Sequence, residues 1–365
     1  MNVGITGVEG LIGFHLRAFL KSGLLLSVIP ATRATFKTCE LLNEFVRQTD
    51  IIVHLAGMNR GTDEEIYNTN LQLAQKLIES CESQKKTPYI IFASSTHIFR
   101  ETMYGQSKKK CAELFQTWAD RNGAKFTCLI LPHVFGEGGR PFYNSVISTF
   151  CYQVANNERP QVQNDSILEL VHTQRVAKKI HEIINQSEYG QISLAGEKIA
   201  VSEALEKILA MDSQYRSGIV PLFQNEFELS LFNTYRSYLF PKHYPLFPKL
   251  YTDNRGRLFE AVKSLNCGQA FISTTKPEIT RGNHYHLRKF ERFCVIAGTA
   301  LIKLRRLFQS EIIEFYVTGD KPSFIDIPTF HTHFITNIGS AELTTLFWSH
   351  EFFDPNNSDT YVEKV

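Results

Sequence analysis

This chain has no apolar stretch long enough to span a bilayer. A crossing needs about 20 consecutive apolar residues, and runs such as Leu24 to Leu26 or Ile51 to Leu55 fall far short. It also lacks a dominant charge. Lys and Arg number 39 against 37 Asp and Glu, a net +2, so composition makes no case for a nucleic-acid or anionic-membrane partner. The seven cysteines are dispersed without a CxxC spacing, which reads as reduced thiols rather than a disulfide framework. Met1-Asn2-Val3-Gly4-Ile5-Thr6-Gly7 runs straight into a structural pattern, with neither the basic nor the apolar region of an export signal. A cytoplasmic location is therefore expected. What is present is ordinary globular material, 43% hydrophobic and 21% charged, which excludes a disordered or collagen-like chain. The 365 residues allow about two domains.

The first chemistry-bearing pattern stands at the N-terminus. Val3 to Ile5 reads as a buried strand, Thr6 to Gly13 as a loop with glycines at 7, 10 and 13, and Phe14 to Lys21 as a helix. Such a loop needs glycine for a tight turn, for close approach of backbone to a pyrophosphate, and for helix-strand contact. The helix N-terminus then offers N–H groups to phosphate oxygens. We expect a dinucleotide here, bound by Thr6, Gly7, Gly10, Leu11, Ile12 and Gly13. The second strand, read as Leu24 to Ile29, is followed by Pro30-Ala31-Thr32-Arg33 without an acid. An NAD site places Asp or Glu there for the ribose hydroxyls, whereas a 2′-phosphate calls for a cation. Arg33 is the candidate and NADPH the favoured cofactor, the alternative being a solvated loop arginine.

Asp50 to Gly57 reads as a buried strand ending in small residues, with Leu55, Ala56 and Gly57 suited to lie against the cofactor. Asn70 sits early in an amphipathic helix over 66–82. Another buried strand, Tyr89 to Ala93, ends at Ser94-Ser95, and Tyr104-Gly105-Gln106-Ser107-Lys108 opens a helical stretch. Positions i and i+4 share a helix face, so Tyr104 and Lys108 point the same way. A phenol with a pKa near 10 needs an adjacent cation to exchange protons at neutral pH. Ser95 would bind a carbonyl oxygen, Tyr104 would deliver the proton and Lys108 would supply the charge. YxxxK alone is usually only a helix face; its place after a serine-ended strand and a glycine loop carries the assignment.

These residues make positions 1 to about 240 resemble an extended short-chain dehydrogenase/reductase acting on nucleotide sugars. The resemblance implies a Rossmann-type α/β fold with a doubly wound parallel sheet and a small substrate lobe, entered at Leu131 to Gly136. It places Arg140, Asn144 and Ser145 near the nucleotide-sugar. The chain departs from the pattern at Val171-His172-Thr173, where Val-Asp-Asp is usual, and in the short link between Ser95 and Tyr104.

Pro241, Pro245 and Pro248 break helix and central strand alike. They set an expected boundary giving a 1–240 NADP-binding reductase domain and a 241–365 domain of a different kind. Beyond it come short alternating segments with turn signals, at Gln269 to Thr274, Glu291 to Ile296, Ala300 to Arg305, Ile312 to Val317, Phe324 to Ile327 and Glu342 to Trp348. This spacing predicts an all-β barrel or jelly roll. In His284-Tyr285-His286 the strand period sends both imidazoles to one face, with Glu291 and His333 further on. Two or three imidazoles with one carboxylate suit a divalent metal, Zn²⁺ foremost. His331 should face away from His333. The set resembles the two cupin motifs, with Pro328, His333 and Asn337 in the second and Phe330 where glycine is usual.

Asp253-Asn254-Arg255-Gly256 before Leu258-Phe259-Glu260 resembles the opening of cupin sugar-nucleotide epimerases. Over essentially the full chain, the combination resembles the bacterial bifunctional capsular-polysaccharide enzymes that make UDP-2-acetamido-2,6-dideoxy-L-talose on the route to UDP-N-acetyl-L-fucosamine. Tyr143 to Ile147, Gly319-Asp320-Lys321 and Phe353 to Asn356 carry this closer likeness. It implies C3 epimerisation of a UDP-4-keto-6-deoxy-HexNAc by the cupin domain, NADPH reduction at C4 by the N-terminal domain, and a homodimer. Two rival readings are a reductase whose cupin only binds a structural metal and holds the dimer, and a non-catalytic NADP(H)-binding regulator, which intact Ser95, Tyr104 and Lys108 disfavour.

Overall fold

Strands that are apolar on both faces must be covered on both faces, and parallel strands joined by helices meet that demand. β1 (Asn2–Thr6), α1 (Leu11–Lys21), β2 (Ser27–Ala31), α2 (Cys39–Gln48), β3 (Ile51–His54), α3 (Asp63–Ser83), β4 (Tyr89–Ser95), α4 (Met103–Asn122) and β5 (Phe126–Leu131) alternate along the computed structural model, which describes residues 1–22 and 26–365. The sheet runs β2-β1-β3-β4-β5 and ends on the strand Gly190–Ser193, every pair parallel. Val3, Ile5, Val53, Ile91 and Leu129 share a core with α1 and the helix Thr173–Gln186. Ile52, Ile90, Phe92 and Ile130 share another with α2, α3 and α4. Alternate residues of each strand thus feed two cores, which makes the strands read as unbroken apolar runs.

The second strand lies further along than its composition suggests. Leu24 and Leu25 lie outside the described residues, and β2 extends to Ala31 with Pro30 inside it. Proline is tolerated there because β2 is the edge of the sheet.

Met1–Phe135 with Ile167–Ile199 form one compact unit, and Gly136–Ser166 with Ala200–Val365 form the other. By packing, therefore, the chain divides at other points than residue 240. Helices Val146–Ala155, Val201–Arg216 and Glu226–Leu239 belong with the β-rich part, the last of them ending just before Pro241. The β-rich part has two antiparallel sheets. One orders Gln269–Thr275, Leu343–Ser349, Glu291–Ala297 and Phe324–Ile327; the other orders Ile312–Thr318, Thr299–Arg306, His331–Asn337, Thr280–Tyr285 and Tyr361–Val362. A buried polar group ties the helices to them. Arg292 donates to both oxygens of Asp326 at 2.6 and 2.8 Å. The Tyr215 hydroxyl, from the helix Val201–Arg216, also donates to Asp326 and pairs with that of Tyr244 at 2.6 Å. No helix among the described residues is long and apolar enough to cross a membrane.

Candidate functional sites

The glycine loop closes on the ends of two neighbouring strands. Gly7 adopts φ +68°, and a Cβ there would stand 2.9 Å from Ala56 N. A Cβ on Gly13 would stand 2.3 Å from the Gly7 carbonyl oxygen. These two positions need glycine for conformation and for space. Gly10 begins α1 without a side-chain cap, so Leu11 and Ile12 lead a bare helix N-terminus of the kind that receives phosphate. The Thr6 hydroxyl oxygen accepts the N–H groups of Leu55 and Ala56, both at 3.1 Å, and pairs with His54 Nδ1 at 2.9 Å. Having accepted two N–H groups, it donates its own hydrogen to Nδ1. Burial, then the nearby Lys108 charge, lowers the His54 pKa to about 3, in keeping with that acceptor role. His54 was not singled out in the sequence, where it reads as one more residue of an apolar strand.

At the ends of β3 and β4, Gly57, Asn70 and Lys108 come together. A Cβ on Gly57 would lie 3.1 Å from Asn70 Oδ1 and 3.5 Å from Lys108 Nζ. Asn70 accepts from Met58 N at 2.7 Å and donates to Met58 O at 2.9 Å and to Ser107 Oγ at 3.0 Å, clamping the loop after β3 to α4. The buried Lys108 ammonium donates to Ala93 O at 2.9 Å and lies 5.9 Å from the Tyr104 ring centroid. Ser95 ends β4, and its Oγ accepts the His97 N–H at 3.3 Å. Arg33 stands exposed just beyond β2, at the head of the turn Ala34–Phe36. Arg140, Asn144 and Ser145 lie in the second unit. There Ser145 caps the helix Val146–Ala155 by accepting from Ser148 N, and Arg140 lies 5.2 Å from the Tyr143 ring centroid.

Within the β-rich part, His284, His286, Glu291 and His333 bring their ligand atoms within 4.8 Å of one another. His286 Nε2 lies 2.9 Å and His333 Nε2 3.8 Å from Glu291 Oε2. Each ring is aimed from behind: His286 Nδ1 donates to Asp359 O at 2.6 Å and His333 Nδ1 to His331 O at 3.2 Å. Both Nε2 atoms are thereby turned into the cluster. Burial, followed by His286, pulls His284 down to about 4. For Glu291 burial alone would raise the pKa, but His286, His333 and Lys289 outweigh it and bring it to about 2. His333 Nε2 is fully buried with no hydrogen-bond partner, which leaves an acceptor aimed at three other donor groups. Three imidazoles and a carboxylate so arranged fit a divalent first-row cation. His331 looks elsewhere, with its Nδ1 on Thr329 O at 2.9 Å and its ring against Phe240.

Asp359 is the residue that motif reading missed. Its carboxylate accepts the N–H groups of Leu287, Arg288 and Lys289 at 3.1, 2.9 and 2.7 Å, holding the turn between the histidine pair and Glu291. No local pattern around it marks that task.

Residues 3–195 match the NAD dependent epimerase/dehydratase family, and residues 251–361 match the polysaccharide biosynthesis C-terminal domain. The chain belongs to the NAD dependent epimerase/dehydratase family. It is 31% identical, over 100% of its length and 99% of the relative's, to the UDP-2-acetamido-2,6-beta-L-arabino-hexul-4-ose reductase of Pseudomonas aeruginosa. It is 34% identical to the capsular polysaccharide assembling protein CapF of Staphylococcus aureus, whose crystal structure it matches with a TM-score of 0.66 over 100% of both chains. The NADPH complex of RMD from Pseudomonas aeruginosa, at 17% identity and a TM-score of 0.54 over 58% of this chain and 84% of that one, shares the fold.

Proposed function

We propose that the chain performs two successive steps on a UDP-linked 2-acetamido-2,6-dideoxy-4-hexulose for capsule or O-antigen precursors: epimerisation at C3 in the C-terminal cupin domain and reduction of the C4 ketone in the N-terminal reductase domain. The observation that carries the reading is the buried Lys108, its Nζ 5.9 Å from the Tyr104 ring centroid and next to Gly57, in a chain alike throughout to a UDP-4-keto-sugar reductase. Thr6, Gly7, Gly10 to Gly13, Leu55 to Gly57 and Asn70 would hold NADPH, and Arg33 would meet its 2′-phosphate. Bound there, NADPH would supply the hydride for C4; Ser95 holds the ketone oxygen and Tyr104 gives that oxygen its proton, so that the ketone becomes an alcohol. Lys108 would hold the nicotinamide ribose. Arg140, Asn144 and Ser145 take the nucleotide-sugar.

For the cupin domain, His284, His286, Glu291 and His333 hold a divalent cation, zinc by donor preference. Bound there, such a cation supplies a Lewis acid for a keto sugar's oxygen. Around it, His286 and His333 keep their second nitrogens on backbone carbonyls, and Glu291 presents a charged carboxylate. Removal of the C3 proton is feasible because the ketone that later accepts hydride acidifies its neighbour. A homodimer accounts for an exposed β hairpin, Leu250–Asp253 with Gly256–Phe259, on which Leu258 is 62% exposed, and for the edge strand Gln269–Thr275, on which Ile272 is 69% exposed. A cytoplasmic site suits nucleotide and NADPH supply. Incubating the protein with the keto sugar in deuterated water, first without and then with NADPH, tests both steps by NMR. Deuterium should enter C3 without NADPH and the C4 alcohol should form with it. Absence of exchange would leave the cupin domain a structural metal-binding and dimerisation module.

A further inference from the structure

The link between Ser95 and Tyr104 is short, and it folds into a device. After β4 the chain makes one 3-10 turn, Thr96–Phe99, before α4 starts at Met103. Ser95 caps the turn by accepting the His97 N–H at 3.3 Å, and Arg100 N–H closes it on the His97 carbonyl at 2.9 Å. The turn lies hard against α4. A Cβ on Gly105 would stand 2.2 Å from the His97 carbonyl oxygen and 2.7 Å from that of Arg100, so the residue after Tyr104 must be glycine for the two to meet. This approach sets the His97 imidazole edge-on to the Tyr104 ring, centroids 5.6 Å apart at 75°. His133, on the strand His133–Phe135, stands against His97 at 6.1 Å and 79°. Burial and then the Arg100 charge lower the pKa of His97; burial, then His97 and Arg100, lower that of His133. Both imidazoles are therefore neutral at neutral pH and pack as rings, adding no cation beside Lys108.

We propose that His97 is the positioning residue of the reduction, its backbone N–H fixing the Ser95 hydroxyl oxygen while its ring, supported by His133, fixes the ring of Tyr104. With Ser95 Oγ accepting from His97, the serine's own hydrogen is left to donate to a ketone oxygen. With His97 against its ring and Lys108 5.9 Å from the ring centroid, Tyr104 is held before substrate arrives. One residue thus sets two proton-donating hydroxyls on one oxygen. Such preorganisation acts on kcat, since a misplacement of about 1 Å costs on the order of 10²-fold. The inference rests on Ser95 and Tyr104 being the reacting pair.

The test compares His97→Ala, His97→Phe and Tyr104→Phe by NADPH oxidation with the keto sugar, with NADPH affinity measured by fluorescence to report an intact fold. His97→Ala should lower kcat about 10- to 100-fold, with KM for the keto sugar and NADPH affinity within about twofold. His97→Phe keeps a ring and the backbone N–H, and should recover kcat to within about threefold of the unaltered protein. A His97→Ala kcat within about twofold of the unaltered protein overturns the proposal. So does His97→Phe as slow as His97→Ala, which would give the role to an imidazole nitrogen. Should His97→Ala lose NADPH binding, His133→Ala takes its place: a kcat loss of about three- to tenfold is expected, and none overturns the proposal. Unimpaired reduction by Tyr104→Phe would instead sink the assignment of the reacting pair, whatever His97 does.

Discussion

Around the glycine loop, residues are held largely through backbone: Gly7 and Gly13 by close approach to main-chain atoms, Asn70 by the backbone N–H and C=O of Met58, Lys108 by the Ala93 carbonyl. Around the three histidines the means are different. Glu291 sits between two imidazoles, and Asp359 gathers three N–H groups with one buried carboxylate. The first arrangement needs small residues at fixed spacing, which leaves a trace in local sequence. The second needs charges that meet only in three dimensions. The first site should therefore fail by steric or rotational misplacement, and the second by loss of a charge.

The sharpest way to break the comparison is to silence one site and watch the other. Tyr104→Phe removes only the hydroxyl proton donor, a general acid contributing about 10²- to 10⁴-fold, so NADPH oxidation should fall by that factor while deuterium exchange at C3 stays unchanged. Glu291→Gln should do the reverse: metal content, read by atomic absorption, and C3 exchange should fall, while sugar already epimerised is still reduced. Loss of both activities in either variant would mean that the sites are not chemically separate.

Next in size is the buried pair of Arg292 and Asp326, at 3% and 0% side-chain exposure. Asp326→Asn leaves a guanidinium without its counter-charge, at a cost of about 3–5 kcal/mol. Denaturant unfolding should show that loss, and the double change Arg292→Met with Asp326→Leu should restore much of it. Equal destabilisation by single and double variants would mean that packing against Tyr215 and Tyr244, not charge, holds the helices to the sheets.

How much was legible follows the same divide. The parallel sheet, the glycine loop and the Tyr104/Lys108 face could be read because strand period, helix period and glycine spacing are local. The histidines and Glu291 could be read because period 2 aligns His284 with His286 and a motif supplies the rest. His54 and Asp359 could not, since each acts on residues 48 and about 72 positions away, respectively. The packing of 200–239 with the β-rich part was hidden for the same reason, because Tyr215 and Arg236 find their partners on strands some 90 to 110 residues later. The proline cluster marks the end of a helix at Leu239 and says nothing of what that helix packs against.

Asp359 offers a smaller test within the barrel. Asp359→Ala frees the turn at 287–289 while leaving all four ligand side chains in place. Support of this kind is worth about 10- to 100-fold in metal affinity, to be read by competition with a chelator. Unchanged affinity would mean that the strands alone set the histidines.

The smallest effect is expected at Arg33, and it separates shape from charge within the first site. On the proposed reading the glycine loop and the bare N-terminus of α1 take the pyrophosphate common to both nicotinamide dinucleotides, so they give affinity without choosing between them. Choice falls to whatever meets the 2′ position at the end of β2, where Arg33 is exposed and no acid stands nearby in sequence. An exposed cation on a phosphate is screened by salt, so Arg33→Ala should weaken NADPH by about tenfold at low ionic strength and less at high. NADH affinity should stay where it is. An unchanged ratio of the two affinities, measured by fluorescence titration at both salt levels, would remove Arg33 from the site and return cofactor choice to the backbone.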